Sequence, residues 1–522
     1  MTDVATAAIS TEVPERYNVC EILDRNLAEG RAGKPAIHWG EETITYGELA
    51  ARANAFASVL RELGVRREER ILLVLDDTPA WPTAFFGAIR IGAVPVPVSP
   101  MDSPQNFVHY VRDSYARALL VESALADGIR DALGELVHGM TVISANGPAE
   151  AAIDLSQALD HHAGEQVPVL ATHRDDMAFW LYSSGSTGKP KGVVHLHHDI
   201  PYTCRTYARE ILGIEPADRT FSTTKLYHAY GMGNNLSFPY SAGASTVLMS
   251  GRPSPEPILE TAQRYRPTLF FSVPTLYNAM LNLAGAGDYD LSSVRLCLSA
   301  AEPLAPSVLR RWRETFGLDI LDGIGSTELL HIYCSNAPGS IVPGTSGAPV
   351  PGYELKLLDE EGHEVPEGEV GNLHVRGDSA LAFYWHQHEK TKASINGDWF
   401  FTGDRYRRTE EGGYAYEGRA DDMIKVGGLW VSPIEVENAL AEHPLVVEAA
   451  AVGVEDEVTK RVKAYVVCRE HEREEAAVEA ELQEWCKERL RRYEYPHYFA
   501  FVDELPKTLT GKIQRYKLRE LE

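Results

Sequence analysis

Cysteine is scarce in this chain: six among 522 residues, at Cys20, Cys204, Cys297, Cys334, Cys468 and Cys486. No two are spaced C-x-x-C, which excludes a zinc ribbon or a dithiol redox centre, and the scattered thiols are expected to be reduced and structural. The chain also lacks any run near the ~20 apolar residues of a membrane span. Met1 to Arg16 is polar, without the basic-then-apolar order of a secretory signal, so a cytoplasmic protein is expected. Positive charge is in deficit, with 50 Lys and Arg against 75 Asp and Glu and a net charge of −25. That balance argues against nucleic acid or an anionic membrane as a partner. It leaves room for a nucleotide, because a few local lysines, a magnesium ion and backbone donors outweigh a distant acidic surface. There is no internal repeat and no low-complexity tract.

What is present is a soluble-type composition, 44% apolar and 24% charged, in a chain longer than one core serves, so two or more domains are expected. Thr45 to Leu63 reads as a helix: Leu49, Ala53, Phe56, Leu60 and Leu63 share a face, Thr45 and Glu48 form a capping box, and Gly64 closes it. Short apolar runs at 70–75, 118–121, 245–249, 269–273 and 294–298, separated by helical lengths, predict parallel α/β sheets. After Gly344 the texture turns to glycine-punctuated strand-like segments, and near Arg419 it turns again to a compact α+β tail with a charged helix around Glu475 to Arg492. The expected architecture is α/β: a large N-terminal domain, 1–418, of αβαβα-type parallel sheets with a β-rich subdomain at about 344–418. A hinge at 419–424 then leads to a small mobile α+β domain at 425–522.

The most informative segment is Ser183-Ser184-Gly185-Ser186-Thr187-Gly188-Lys189-Pro190-Lys191-Gly192. Its hydroxyls, glycines and lysines suit a polyphosphate, since glycine lets backbone N–H groups turn inward on anionic oxygens. It is not a Walker A loop. Ser183 replaces the first glycine, and Pro190 follows Lys189 where Ser or Thr should hold magnesium. The bland alternative is a flexible Gly/Ser turn. Met177 to Tyr182 upstream is apolar and strand-like, which places the loop at a strand's carboxyl end, where α/β proteins bind ligands. A second turn, Asp322-Gly323-Ile324-Gly325-Ser326-Thr327-Glu328, offers Thr327 as a donor to phosphate and Glu328 as an oxygen ligand for Mg2+. Alone it is also an ordinary G-x-G turn.

With Val193-Val194-His195 following it, the first loop resembles the phosphate loop of the acyl-adenylate-forming superfamily, and further segments match in order. Ser299-Ala300-Ala301-Glu302-Pro303-Leu304 resembles the adenine turn, and Trp399 to Asp404 the ribose motif. Gly418-Arg419-Ala420-Asp421-Asp422 resembles the hinge, and Pro506 to Lys512 the terminal motif whose last lysine carries catalysis. The resemblance implies ATP/AMP binding by Ser183, Ser184, Gly185, Ser186, Thr187, Gly188, Lys189, Ala301, Glu302, Pro303, Asp322, Gly323, Ile324, Thr327, Asp404 and Arg419. It implies Lys512 as the catalytic residue, stabilising the charge created when a carboxylate attacks the α-phosphate. Lys189 and Lys191 become electrostatic handles on the outer phosphates. Asp421 is the implied pivot, with Lys425, Gly427, Gly428 and Trp430 on the face presented for thiol attack by coenzyme A.

Within the superfamily, Lys225 to Asn234 and Asp322 to Ile332 are most similar to benzoate-type CoA ligases. That implies a pocket for an aromatic acid bordered by His228, Ala229, Tyr230, Gly325, Ser326, His331 and Ile332. His228 departs from the aromatic apolar residue usual there. An unpaired imidazole beside an apolar ring would cost ~1–3 kcal/mol, so a hydrogen-bonding substituent, as in aminobenzoate or hydroxybenzoate, is expected on the substrate, with benzoate as the competitor. The implied activity is ATP-dependent aryl-CoA synthesis through an aryl-AMP, using ATP, Mg2+ and coenzyme A. The alternative is a stand-alone adenylation enzyme loading a carrier-protein thiol. A non-catalytic nucleotide sensor would lack Lys512, Glu328 or Asp404, and all three are present. A monomer or homodimer is expected.

Overall fold

The computed structural model describes residues 13–183, 189–419, 422–426, 429–455, 460–469, 474–507 and 513–521, with the side chains of 429 and 430 left out. Ser184, Gly185, Ser186, Thr187, Gly188, Asp421, Gly427, Gly428, Lys512 and the side chain of Trp430 therefore lie outside what is described.

Two parallel sheets form the bulk of the molecule, as the alternating apolar runs predict. The first orders its strands Val94–Pro97, Arg70–Val74, Ala118–Glu122, Thr141–Ala145 and Ile153–Asp154, every pair parallel. The second has nine strands. Its parallel centre comprises Leu296–Ser299, Leu269–Ser272, Arg219–Ser222 and Ser245–Val247, with antiparallel pairs at both edges. The helix read from Thr45 runs Tyr46–Glu62 with its capping box formed. It packs tightly on the helix Ala80–Arg90, where a Cβ on Gly87 would lie 2.9 Å from the Ala53 carbonyl oxygen. Only glycine permits that approach, and Phe56, Phe85 and Phe86 fill the space around it, fully buried.

Met177–Ser183 is a strand, as its apolar run predicts. It pairs antiparallel with Lys191–Leu196, and Phe383–Tyr384 adds a third strand on the far side. Pro190 suits this return, because it disfavours the helical conformation at Lys189. The phosphate-loop segment thus connects the two arms of a hairpin. On the back of that hairpin, Trp180 and Trp385 meet with ring centroids 4.4 Å apart, and the Arg70 guanidinium lies 5.6 and 5.5 Å from the two rings.

The segment after Gly344 forms a five-stranded antiparallel sheet built from Glu354–Leu358, Val370–Arg376, Ile395–Asn396, Trp399–Arg408 and Tyr414–Arg419. The tail packs helices Pro433–Ala441, Glu475–Lys487 and Arg515–Arg519 with a sheet of Val446–Glu455, Lys460–Cys468 and Tyr498–Phe501. The charged helix buries Val478, Leu482 and Cys486 and leaves its charges outward. Among the described residues no helix is long and apolar enough to cross a membrane.

Candidate active site

The carboxyl ends of the central parallel strands, Ser222, Ser272, Ser299 and Gly325, lead into the segments that carry most of the motifs. Sheet register does the gathering: Ser299 and Asp322 are direct neighbours on adjacent strands, so the adenine-type turn and the second glycine turn lie side by side. Ala301 sits at φ 76°, a left-handed conformation that costs a non-glycine residue about 1–2 kcal/mol. Glu302 accepts from the Thr275 hydroxyl at 2.6 Å and backbone N–H at 3.2 Å, which ties this turn to the start of the helix Pro274–Leu281. Asp322 is buried, and burial pushes its carboxyl well above the usual carboxylate range. Gly325 is required by space, since a Cβ there would stand 2.5 Å from the His331 carbonyl oxygen.

Glu328 is the electrostatic centre. Its Oε1 accepts from Lys191 Nζ at 2.9 Å, from the Tyr384 hydroxyl at 3.0 Å and from the Ser183 hydroxyl at 3.3 Å. Burial alone would raise this carboxyl, but the charge and hydrogen bond of Lys191 outweigh it, helped by the Glu328 backbone N–H and Tyr384, and hold it below its ordinary value. Lys191 also lies 4.2 Å from the centre of the Tyr384 ring. Ser183 and Lys191 are the last and first residues of the two hairpin arms, so the phosphate-loop segment begins and ends at an ionised carboxylate. Lys189 is exposed. An ionised carboxylate is the hard oxygen donor that Mg2+ takes alongside substrate phosphates and water, so the donor set fits that ion.

Asp404 and Arg419 are register partners across the antiparallel sheet, with Nη1 to Oδ1 at 3.4 Å. Gly403, at φ 78°, makes room for the arginine: a Cβ there would lie 2.8 Å from Arg419 Nη2. Lys425 is exposed on the strand Ile424–Val426, paired with the backbone of Trp430.

The aryl-pocket residues divide. Ala229 and Tyr230 open the short helix Ala229–Met232, with His228 at its N-cap position and Tyr230 half-buried. His228 is half-buried, has partners of its own, and stands 4.7 Å from the Tyr227 ring. His331 is 2% exposed. Its Nε2 stands 3.1 Å from Asn234 Oδ1 and 3.3 Å from the Tyr230 carbonyl oxygen, while the rings of Phe238, Tyr230 and Tyr207 surround it. Burial drives its pKa down to about 3, which keeps the ring neutral. His331 thus braces the helix that carries Tyr230. Ser326 Oγ accepts from the Leu329 N–H at 3.2 Å, and Ile332 is buried at the start of the strand Ile332–Ser335.

Several contributors escape a motif reading. Tyr384 carries no spacing signal, and Asn234 was read only as part of a longer resemblance. His109 contacts the Pro190 carbonyl oxygen at 2.8 Å from a helix far upstream.

A buried ionised carboxylate at the mouth of a phosphate-type loop, beside an adenine-type turn, defines a nucleotide-handling enzyme of the adenylate-forming kind. The chain belongs to the AMP-binding enzyme family, whose pattern it matches over residues 24–385, with the AMP-binding enzyme C-terminal domain over 435–512. It is 44% identical to benzoate–CoA ligase of Thauera aromatica, covering 97% of both chains. It is 40% identical to 4-hydroxybenzoate–CoA/benzoate–CoA ligase of Rhodopseudomonas palustris, covering 97% of this chain and 94% of that one. Its fold superposes on the anthranilate CoA ligase AuaEII in complex with anthranoyl-AMP with a TM-score of 0.92, at 40% identity and 98% coverage of each.

Proposed function

We propose that the protein is an AMP-forming aryl-CoA ligase acting on a benzoate-type acid. A carboxylate oxygen of the acid attacks the α-phosphorus of ATP, the bond to pyrophosphate breaks, and an aryl-AMP forms. The thiol of coenzyme A then attacks the acyl carbon and AMP leaves. The observation that carries this reading is the Lys191–Glu328–Tyr384 cluster closing both ends of the phosphate-loop segment.

In this reading Glu328 holds Mg2+, which when bound neutralises charge on the departing pyrophosphate. Lys189 and Lys191 supply positive charge to the outer phosphates, and Lys512 supplies it at the α-phosphate from the smaller domain. Two anions meet in the first step, so placed cations act where charge accumulates and lower the barrier. Asp404 accepts from the ribose hydroxyls with Arg419 beside it, and the turn at Ala301 to Pro303 lies against adenine. Tyr230 and Ile332 give the acid flat apolar walls. The segment 419–424 acts as the hinge that brings first Lys512 and then the Lys425 face to the site.

Benzoate, hydroxybenzoate and aminobenzoate are the substrates to compare, since relatives carry each of these names. The test is CoA-dependent AMP release over substituted benzoates and short fatty acids. Turnover confined to fatty acids overturns the aryl assignment, and transfer only to a carrier-protein thiol favours the alternative acceptor.

A further inference from the structure

Behind the Thr327–Glu328 turn lies a buried pair that the reaction scheme leaves without a role. His195 is 0% exposed and ends its strand's inward row, two residues past Val193 and four past Lys191. Its Nε2 stands 2.8 Å from the Thr327 carbonyl oxygen, and its Nδ1 stands 2.7 Å from Asp199 Oδ2. A carbonyl oxygen only accepts, so Nε2 carries a proton and donates it to Thr327. Asp199 is also 0% exposed, and the Leu196 N–H donates to its Oδ2 at 3.1 Å. The Phe179 ring stacks on the imidazole at 5.2 Å with planes 20° apart, fixing the ring orientation.

The geometry points to His195, oriented by Asp199, as a positioning residue for adenylate formation. This rests on the reading of Glu328 as the Mg2+ and phosphate-side carboxylate. In a trans peptide the carbonyl of residue i and the N–H of residue i+1 point in opposite directions. Anchoring the Thr327 carbonyl to His195 on one side therefore aims the Glu328 N–H to the other, where it meets the Glu328 carboxylate. Lys191 and His195 lie on the same face of one strand, so that strand grips the turn twice, once by the Glu328 side chain and once by the Thr327 backbone. The Leu381 N–H, donating to the Glu328 carbonyl at 2.7 Å, completes the clamp. Removing the His195 bond leaves the Thr327 carbonyl with the Leu330 N–H at 3.1 Å as its remaining backbone donor, and the loss of the side-chain anchor lets the peptide tilt, carrying the carboxylate with it.

The test uses the full chain with His195→Leu, His195→Gln and Asp199→Asn. Mn2+ binding in the presence of α,β-methylene-ATP, read by electron paramagnetic resonance without turnover, is expected to weaken about tenfold or more in His195→Leu. Pyrophosphate release is expected to fall by a similar factor, while thioester formation from supplied aryl-AMP stays near the wild-type rate. His195→Gln keeps a donor for Thr327 and is expected to recover most of the Mn2+ affinity. Asp199→Asn, which keeps size and shape, is expected to give an intermediate loss. Equal loss in both half-reactions, or Mn2+ affinity unchanged in both His195→Leu and Asp199→Asn, overturns the inference. Wild-type protein that binds no Mn2+ with the nucleotide, or that loses none of that binding on Glu328→Gln, overturns the reading of Glu328 instead.

Discussion

Lys191 and Glu328 meet at 2.9 Å although 137 residues separate them, and the pair joins the outgoing arm of the loop hairpin to the turn after a central strand. Because the lysine keeps this buried carboxyl ionised, Lys191→Met is expected to raise the Glu328 pKa. The acid limb of the pH profile for pyrophosphate release then moves to higher pH, and the rate falls by about two orders of magnitude. A stopped-assay pH series on wild type and variant checks this, and an unshifted acid limb would sink it.

Asp404 faces Arg419 at 3.4 Å across the sheet. Loss of a hydrogen bond to a charged acceptor costs about 1.5–3 kcal/mol, so Asp404→Ala is expected to lower kcat/KM for ATP by about tenfold to a hundredfold. The KM for the aromatic acid should stay close to wild type. Initial-rate kinetics with each substrate varied in turn separate the two outcomes.

His331 is neutral because burial depresses its pKa from 6.5 to about 3. Between those values the unfolded chain holds a proton that the folded chain refuses, so folding stability is present above pH 6.5 and is lost as the pH falls toward 3. The slope reaches about 1.4 kcal/mol per pH unit for one such group. His197 and His38, both pushed down to about 4 by burial, add to it. Urea titrations from pH 7 to pH 4 on wild type and His331→Gln should show a shallower acid loss in the variant. Parallel curves would exclude the assignment.

Ala301 holds a left-handed backbone at the adenine-type turn. Glycine relieves that strain but adds freedom to the unfolded chain, so Ala301→Gly is expected to be neutral or stabilising by up to about 1 kcal/mol. Ala301→Val, with a branched side chain at positive φ, is expected to lower the urea midpoint. A loss of stability in the glycine variant would show that the conformation is not strained.

Much of the site was legible because its chemistry is written in residue types at short spacing: Thr327 with Glu328, the glycines around them, Asp404 after Gly403. Sheet register was not legible. The pairing of Ser299 with Asp322 and of Asp404 with Arg419 depends on which strands adjoin. The hairpin was hidden for a related reason: Met177 to Tyr182 reads as a buried strand whichever way its neighbour runs, and Pro190 alone hints at the reversal. His195 was quoted as part of the loop's resemblance but not given a task, since its partner is a main-chain carbonyl 132 residues away and carbonyls leave no mark in a sequence. For His228 the sequence shows a departure in residue type but not which groups surround the ring, where Tyr227 stands 4.7 Å away.

Trp180 and Trp385, in contact at a tilt of 38° on the back of the loop hairpin, give the molecule its own optical probe. Trp180 sits on the incoming arm and Trp385 just beyond the strand that carries Tyr384, with Arg70 within reach of both. Nucleotide arriving on the opposite side of those strands is expected to change the emission of the pair without any label. Loading and discharge of the site could then be followed in real time on native protein, and Trp385→Phe is expected to reduce the change, which identifies the pair among the eight tryptophans of the chain.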